Sequence, residues 1–433
     1  MQNSLNLKLN YYFPILALII FFPRGVGFSI LGSVIDLNEI LHMLMVVLLL
    51  SKIKINIEKD GFLILLLILP VFVAPFSQFP QQAFINFVLN FFLYSLAYFI
   101  GKHFILNYRS VSLSINFVKT IAVINTFCIV IALLNHFFQI VNFDIFRVYD
   151  ESILNTTKNL QRVIDDVIGF SAFRGGLMAS NHFAFFQISV LAFLITWLNI
   201  NHTCLSKNLL LLFSFSILIS VFSIVLSQSR GVVLLMALLI MLIFLVSIAY
   251  KRVWMSFYNP LIMLFFISAT TAAFFYEEVY FLIVNISTIV NYIGMSGVDG
   301  TVVNTLDSSN RVTALLFIDD IMFSYPLAIF IGLGIGFWKY FPDDQVTYFA
   351  DSPLIISMAL EYGFVIFFIL TLLIAKCIVR LIASKNYYKF MPYTVSFLFL
   401  LLALQISSAK DLYWLLFFLL GIVYNINTKN TYK

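Results

Sequence analysis

Long apolar segments follow one another along almost the whole chain, and their length decides which folds are open to it. About 20 apolar residues in a helix cross the hydrocarbon core of a bilayer. A helix also satisfies every backbone hydrogen bond within the segment, which lipid cannot do for it. We place twelve candidate spans at residues 11–31, 37–51, 61–76, 84–105, 114–141, 181–200, 208–227, 231–250, 256–276, 352–379, 390–408 and 411–426.

The balance of apolar and charged residues agrees with a membrane protein. Of the 433 residues, 62% are hydrophobic and 10% are charged, whereas a soluble domain carries about 25% charged residues. A transmembrane β-barrel would show short segments of alternating polarity, and this chain shows none. The sequence therefore predicts an all-α integral membrane protein, with residues 1–433 forming one polytopic domain of about twelve spans.

The distribution of basic residues predicts the orientation of these spans. With both termini in the cytoplasm, the inner loops hold sixteen positive charges against two acidic residues, Glu58 and Asp60. Loops enriched in lysine and arginine remain inside. Two long segments, 142–180 and 277–351, then lie outside the membrane.

Arginine departs from this trend. On the predicted topology six of the nine arginines lie outside, while thirteen of the sixteen lysines lie inside. Because the planar guanidinium group matches phosphate oxygens better than an ammonium group does, the skew indicates an outer face that binds an anion. Arg147 and Arg162 have acidic neighbours in the sequence and are interpreted as solvated loop charges.

The turn Ser227-Gln228-Ser229-Arg230-Gly231 joins two long apolar segments. Arg230 lies there at the predicted outer membrane boundary, where an ionisable residue is a candidate for function. The alternative is an arginine that reaches the lipid headgroups. The polar neighbours, Ser229 among them, favour a functional interpretation.

A second motif runs from Phe173-Arg174-Gly175-Gly176 to Ser180-Asn181-His182, where the sixth span begins. Paired glycines allow a backbone to approach a ligand closely, which makes Arg174 a candidate anion ligand. Asn181 and His182 are candidate substrate-binding residues. In the simpler interpretation, Asn181 caps the helix and His182 is an interfacial histidine.

The second long segment contains Arg311 and, further on, Gly332-Leu333-Gly334-Ile335-Gly336. After Arg311 apolar residues recur at helical spacing, which predicts an amphipathic helix at the outer interface. A glycine run binds nucleotides only in the context of a preceding strand, so we interpret this one as a turn at the membrane surface, with Gly334 near substrate.

Two carboxylates follow this segment. Asp351 either caps the tenth span, with Pro353 in its first turn, or orients an arginine or accepts a proton from a sugar hydroxyl. Glu361 lies deeper in the same span, where a carboxylate is expected to face a cavity or a cationic partner.

The sequence predicts neither a metal nor another cofactor. Three adjacent aspartate pairs, at 165–166, 319–320 and 343–344, diverge in direction if helical and have no histidine at ligand spacing. The three scattered cysteines predict no disulfide framework and no zinc site.

Taken in order, the motifs around Arg174, Arg230, Arg311 and Gly334, and Asp351 and Glu361 resemble those of the bacterial O-antigen polymerase and O-antigen ligase superfamily. The similarity in layout covers most of the chain, and the specific motifs lie between Phe173 and Gly363. It implies a C-class, metal-independent glycosyltransferase fold in the bacterial inner membrane. Its substrate would be an undecaprenyl-diphosphate-linked oligosaccharide at the periplasmic face.

Within the superfamily, the absence of any histidine after His202 favours a polymerase, because ligases carry a histidine just before the span where this chain has Asp351. The expected reaction joins repeat units into an O-antigen or capsule type of polysaccharide. Arg230 and Arg311, assisted by Arg174, would stabilise the leaving diphosphate. Expected partners are the bilayer, a chain-length regulator and a flippase, and no nucleic acid. The alternatives are a ligase and a flippase or other transporter of lipid-linked oligosaccharide.

Overall fold

The structure is a computed structural model. It describes residues 27–30, 33–36, 40–41, 43–45, 47, 57–76, 80–81, 84, 96–107, 114–138, 180–201, 204–227, 229–249, 326, 330, 332–333, 354–382, 387–406 and 412–426.

The described part of the chain is predominantly helical. A short antiparallel pair of strands comes first, β1 (Gly27–Ile30) and β2 (Ser33–Asp36). The helices are α1 (Ile57–Val73), followed by a 3₁₀ turn (Ala74–Phe76), α2 (Ala97–Asn107), α3 (Ile115–Phe138), α4 (Ser180–Asn201), α5 (Lys207–Leu226), α6 (Arg230–Ala249), α7 (Leu354–Ile382), α8 (Tyr387–Leu404) and α9 (Tyr413–Asn425).

The hairpin corrects the predicted first span, 11–31, whose last residues form a strand instead of a helix. Gly27 pairs with Asp36 and Ile30 with Ser33, with two residues between the strands. Two residues is the commonest length of a hairpin connection. Glycine disfavours a helix, while Phe28, Ile30 and Val34 favour a strand. The predicted all-α fold class holds for the other described elements, and this short hairpin is the exception to it.

Among the residues that the structure describes, three helices are long and apolar enough to cross a membrane, Ile115–Leu133, His182–Asn201 and Lys207–Leu226. They match three of the predicted spans. Large apolar side chains on two of them point away from the protein, with Phe127 63% exposed and Leu211 60% exposed. Such side chains are suited to contact with lipid acyl chains. The chain is thus a helical membrane protein, and the count of twelve spans stays a prediction.

Helices α2 and α9 cross at a pair of glycines. A Cβ atom on Gly101 would collide with the backbone oxygen of Phe418, and one on Gly421 with the backbone oxygen of Tyr98. Small residues allow this close approach of helices, which is a common means of association in membranes.

The direction of α2 corrects another part of the predicted topology. Tyr98 contacts Asn425, while the ring of Phe104 contacts that of Phe418 in a tilted arrangement, so α2 runs antiparallel to α9. The predicted spans 84–105 and 411–426 are both even-numbered and were expected to be parallel. That expectation came from the positive-inside rule, which counted Lys102 among the sixteen cytoplasmic charges, whereas its side chain is buried inside the protein.

Candidate functional site

The turn between α5 and α6 holds Arg230 as the first residue of α6. Ser229, immediately before it, is buried, and its backbone carbonyl accepts hydrogen bonds of 3.1 Å from the amides of Val232 and Val233. These bonds close the first turn of the helix. The backbone that carries Arg230 is therefore held in a defined place.

Gly231 fixes the same turn against the end of α8. A Cβ atom at this position would lie 2.6 Å from Cδ1 of Ile406. A larger residue would therefore require the Ile406 side chain to move. The glycine of the Ser227–Gly231 motif serves this close packing.

Helix α7 breaks at Gly363, which has φ 77° and ψ 167°. The two halves, Ser357–Val365 and Phe367–Lys376, are bent by 95° relative to each other. Only glycine adopts this backbone conformation readily. The predicted tenth span, 352–379, is therefore not a straight helix. We call the bend at Glu361-Tyr362-Gly363 the elbow.

The glycine run that begins at Gly332 docks on this elbow. The amide of Leu333 donates a 2.7 Å hydrogen bond to the carbonyl of Leu360. Gly332 has φ 73°, and a Cβ atom on it would lie 2.6 Å from the amide nitrogen of Gly363. A Cβ atom on Gly363 would lie 2.7 Å from the nitrogen of Gly332. Two motifs that are separate in the sequence thus meet backbone to backbone.

Glu361 lies at the elbow and is only 2% exposed. Its carboxyl group interacts electrostatically with the hydroxyl groups of Tyr362 and Tyr413, both of which are buried. The sequence predicted a cavity or a cationic partner for this carboxylate. The structure places the phenolic groups of two buried tyrosines within electrostatic range of it.

Two further predicted site residues begin α4. The helix starts at Ser180, so Asn181 lies inside its first turn and its simpler interpretation as the cap is wrong. His182 is half-buried, and its ring stacks on that of Phe185 with centroids 6.4 Å apart. This contact agrees with an interfacial histidine.

The remaining predicted site residues, Arg174, Arg311, Gly334 and Asp351, lie outside the described residues, as does most of 277–351. Of the candidates, the structure therefore locates Ser229 and Arg230 at the α5–α6 turn, Asn181 and His182 at the start of α4, and Glu361 at the elbow.

A buried ion pair was missed in the sequence. Asp60 in α1 is 1% exposed and Lys102 in α2 is 6% exposed, and the lysine Nζ donates to the aspartate Oδ2. The Tyr98 hydroxyl donates to Asp60 Oδ1 over 3.3 Å, and Asn425 Nδ2 donates to that hydroxyl over 3.3 Å. Both charges had been placed in cytoplasmic loops. The signal that was available is the position of Lys102 within an apolar segment.

A second polar network joins α3, α4 and α5 inside the bundle. Asn125 Nδ2 donates to Ser220 Oγ over 2.9 Å, and Gln187 Nε2 donates to Asn125 Oδ1 over 3.1 Å. Serines 216, 220 and 223 of α5 and Ser227, which caps its C-terminus, recur at helical spacing and are all buried. This spacing was visible in the sequence. The network holds together the helices that lead to the turn at Arg230.

The described residues contain no group of three or more histidine, cysteine, aspartate or glutamate side chains that would hold a metal ion. No protein-family model, curated protein or solved structure matches the chain.

Proposed function

We propose that the protein polymerises undecaprenyl-diphosphate-linked oligosaccharide repeat units into a surface polysaccharide at the outer face of the bacterial inner membrane. The observation that carries the proposal is the docking of the Gly332 segment on the elbow at Glu361. It joins two of the motifs on which the resemblance to O-antigen polymerases depends.

The chemistry of such a reaction agrees with the residues that the motifs supply. A sugar hydroxyl attacks the anomeric carbon of the lipid-linked glycan, and the lipid diphosphate leaves with the electron pair of the glycosidic bond. Arg230 and Arg311, with Arg174, are the proposed partners of the diphosphate, because preorganised cationic donors stabilise charge that develops in the transition state. Asp351 and Glu361 are the proposed partners of the attacking sugar, and Asn181, His182, Ser229 and Gly334 are proposed to contact the glycan.

A transporter of lipid-linked oligosaccharide is the second candidate, and the break in α7 favours it. Discontinuous helices often form the substrate sites of secondary transporters. Against this function, the sequence has no internal repeat that we can detect. A ligase would use the same donor and transfer the glycan to a different acceptor.

The proposal predicts that Arg230→Ala and Arg311→Ala each abolish long-chain polysaccharide in a host that depends on this gene. Loss of one donor to a developing oxyanion lowers a rate by about two to three orders of magnitude. Chain-length ladders on gels, with immunoblots of the membrane fraction, provide the measurement. Arg147→Ala is the matched control and should give a normal ladder. Normal ladders from both test variants would contradict the assignment.

The same variants separate a polymerase from a transporter. If polymerisation fails, single lipid-linked repeat units accumulate on the outer leaflet, where an added glycosidase that cannot cross the membrane digests them. If transport fails, the units stay on the inner leaflet and are protected. Protected units in Arg230→Ala cells would replace the proposed function with transport.

The orientation of the chain is tested with a thiol reagent that does not cross membranes. Cys204 is exposed between α4 and α5 and is predicted to face the cytoplasm. Ser309→Cys, in a chain without the native cysteines, should react in intact spheroplasts. Cys204, as the single remaining cysteine, should react only after lysis. The reverse pattern would invert the predicted topology.

A further inference from the structure

One side of helix α6 is exposed over more than two turns, and every exposed side chain on it is apolar. We call these residues the α6 stripe; they are Leu234, Ala237, Leu238, Met241 and Leu242. Leu234 is 57% exposed and Met241 is 52% exposed, whereas Val232 and Leu239, on the opposite side of the helix, are both 0% exposed. The stripe is therefore a surface suited to hydrocarbon chains.

Arg230 begins the helix in line with the stripe. An α-helix turns by about 100° per residue, so the positions four, seven and eleven residues after Arg230 lie within about 40° of it around the helix axis. These positions are occupied by Leu234, Ala237 and Met241. A cationic residue thus begins an apolar surface that continues for about 18 Å along the helix, more than half of the roughly 30 Å of hydrocarbon in a bilayer.

The stripe has a recess near its centre. Ala237 is exposed and lies about one turn from Leu234 on one side and from Met241 on the other. A small side chain between two large ones leaves room at the helix surface for the methyl branch of a chain that lies along it. The methionine beside it is unbranched and flexible, which allows it to adapt to the shape of such a chain.

A cation at the end of an apolar surface complements an anionic lipid. The guanidinium group matches the oxygens of a phosphate or diphosphate in a bidentate arrangement, which a lysine ammonium group does not. Helix α5 provides a comparison within the same protein. There Lys207, Leu211 and Phe215 are exposed and follow one another at four-residue spacing. If any cation above any apolar side chains were sufficient, α5 would bind the same lipid as α6.

We infer that the α6 stripe binds the prenyl tail of the lipid diphosphate, with the diphosphate at Arg230. The inference rests on the proposed function, which supplies a polyprenyl diphosphate as the ligand. It adds the residues that hold the tail, with Ala237 at their centre.

Photo-crosslinking on the full chain in lipid nanodiscs tests the inference. A benzophenone amino acid replaces Met241, and the probe is radiolabelled undecaprenyl diphosphate. The matched control places the same amino acid at Phe215, which is 49% exposed. Phe215 lies twelve residues before Ser227 and Met241 lies eleven residues after Arg230, so both are about equally far along the chain from the α5–α6 turn.

Labelling at position 241 should exceed labelling at position 215 about tenfold, the effect of one additional hydrogen bond to a charged group. Unlabelled undecaprenyl diphosphate should compete for position 241. Undecaprenol, which has the same tail without phosphates, and phosphatidylglycerol should not compete at the same concentration.

Two substitutions, each combined with the benzophenone at position 241, test the two ends of the ligand. Arg230→Ala should lower the labelling about tenfold, because the diphosphate loses its charged donor. Ala237→Leu fills the recess and should lower the labelling about fourfold, the effect of one methylene group that is no longer buried. Ala375→Leu makes the same change at an exposed residue of α7 and should leave the labelling unchanged.

Other outcomes would overturn the inference. Equal labelling at positions 215 and 241 would show that the stripe is an ordinary lipid-facing surface. Equal competition by phosphatidylglycerol would show a general contact with anionic lipid. Labelling that is unchanged in Ala237→Leu, or that falls as much in Ala375→Leu, would exclude the recess.

The failure of the inference and the failure of the proposed function are distinguishable, because none of these measurements involves polymer formation. The expected labelling pattern in a protein that makes no polymer would support the stripe and contradict the polymerase. Polymer formation by a protein without this labelling pattern would contradict the stripe alone.

Discussion

Replacing Gly363 by valine is expected to prevent the protein from adopting its described fold. Valine strongly disfavours φ 77°, and its Cβ would lie 2.7 Å from the amide nitrogen of Gly332. Backbone strain of this kind costs about 1–3 kcal/mol, and a clash with another backbone segment adds about as much again. We therefore expect a loss of about 3 kcal/mol or more in the free energy of unfolding, with loss of polymer.

Gly61→Val is the matched control for this prediction. Gly61 lies in α1, and a Cβ atom there would meet nothing within 4 Å. This variant should keep about the stability of the wild type, because valine is a slightly better helix former than the glycine that it replaces. Detergent-solubilised protein is compared by size-exclusion chromatography and by denaturant titration. Equal behaviour of the two valine variants would show that the contact between Gly332 and Gly363 does not hold the elbow.

Replacing Lys102 by methionine is expected to destabilise the protein by about 3–5 kcal/mol, because it leaves the buried Asp60 carboxylate without its cation. Asp60 is 1% exposed, so water cannot take the place of the lysine. The double variant Asp60→Leu, Lys102→Met removes both charges. It should recover most of the stability, since apolar replacement of a whole buried pair is often neutral.

Unfolding in mixed micelles, followed by circular dichroism, measures the single and double variants. Lys207→Met serves as the control, because Lys207 is exposed at the start of α5 and its removal should change stability by about 0.5 kcal/mol or less. If Lys102→Met were as stable as Lys207→Met, the pair would be open to solvent and not a buried contact between α1 and α2.

The elbow and the ion pair are connected to each other through α9. Asp60 links α1 to α2, and Tyr98 extends the link to Asn425 at the end of α9. Helix α9 also packs against α7, which contains the elbow. The elbow thus contacts a helix whose far end is bonded to α2 and, through Tyr98, linked to α1. A site held by such supported helices keeps its geometry better than one on a free loop.

Apolar segment length and the low content of charge were sufficient to determine that the chain is a helical membrane protein. The lengths of the apolar segments also located α3, α4 and α5 to within a few residues, since a segment of about 20 apolar residues has no stable alternative to a helix in lipid. The glycines at 332 and 363 were likewise visible as positions that needed an explanation. The contact between these two glycines could not be predicted from the sequence. Thirty residues lie between them, and the spacing of residues within a segment does not indicate which other segment its backbone will contact.

Only the tertiary structure decided which partners the charged and polar residues near the predicted membrane boundary have, and whether these residues are buried. The sequence placed Lys102 and Asp60 in loops, and packing placed them in a buried pair. It marked Glu361 as a functional carboxylate, and the fold buried that residue where α9, some 50 residues further on, packs against α7. Hydrophobic length is a local property that each segment carries by itself. The pairing of a buried polar group depends on which other segment lies opposite, and that is settled only when the helices pack.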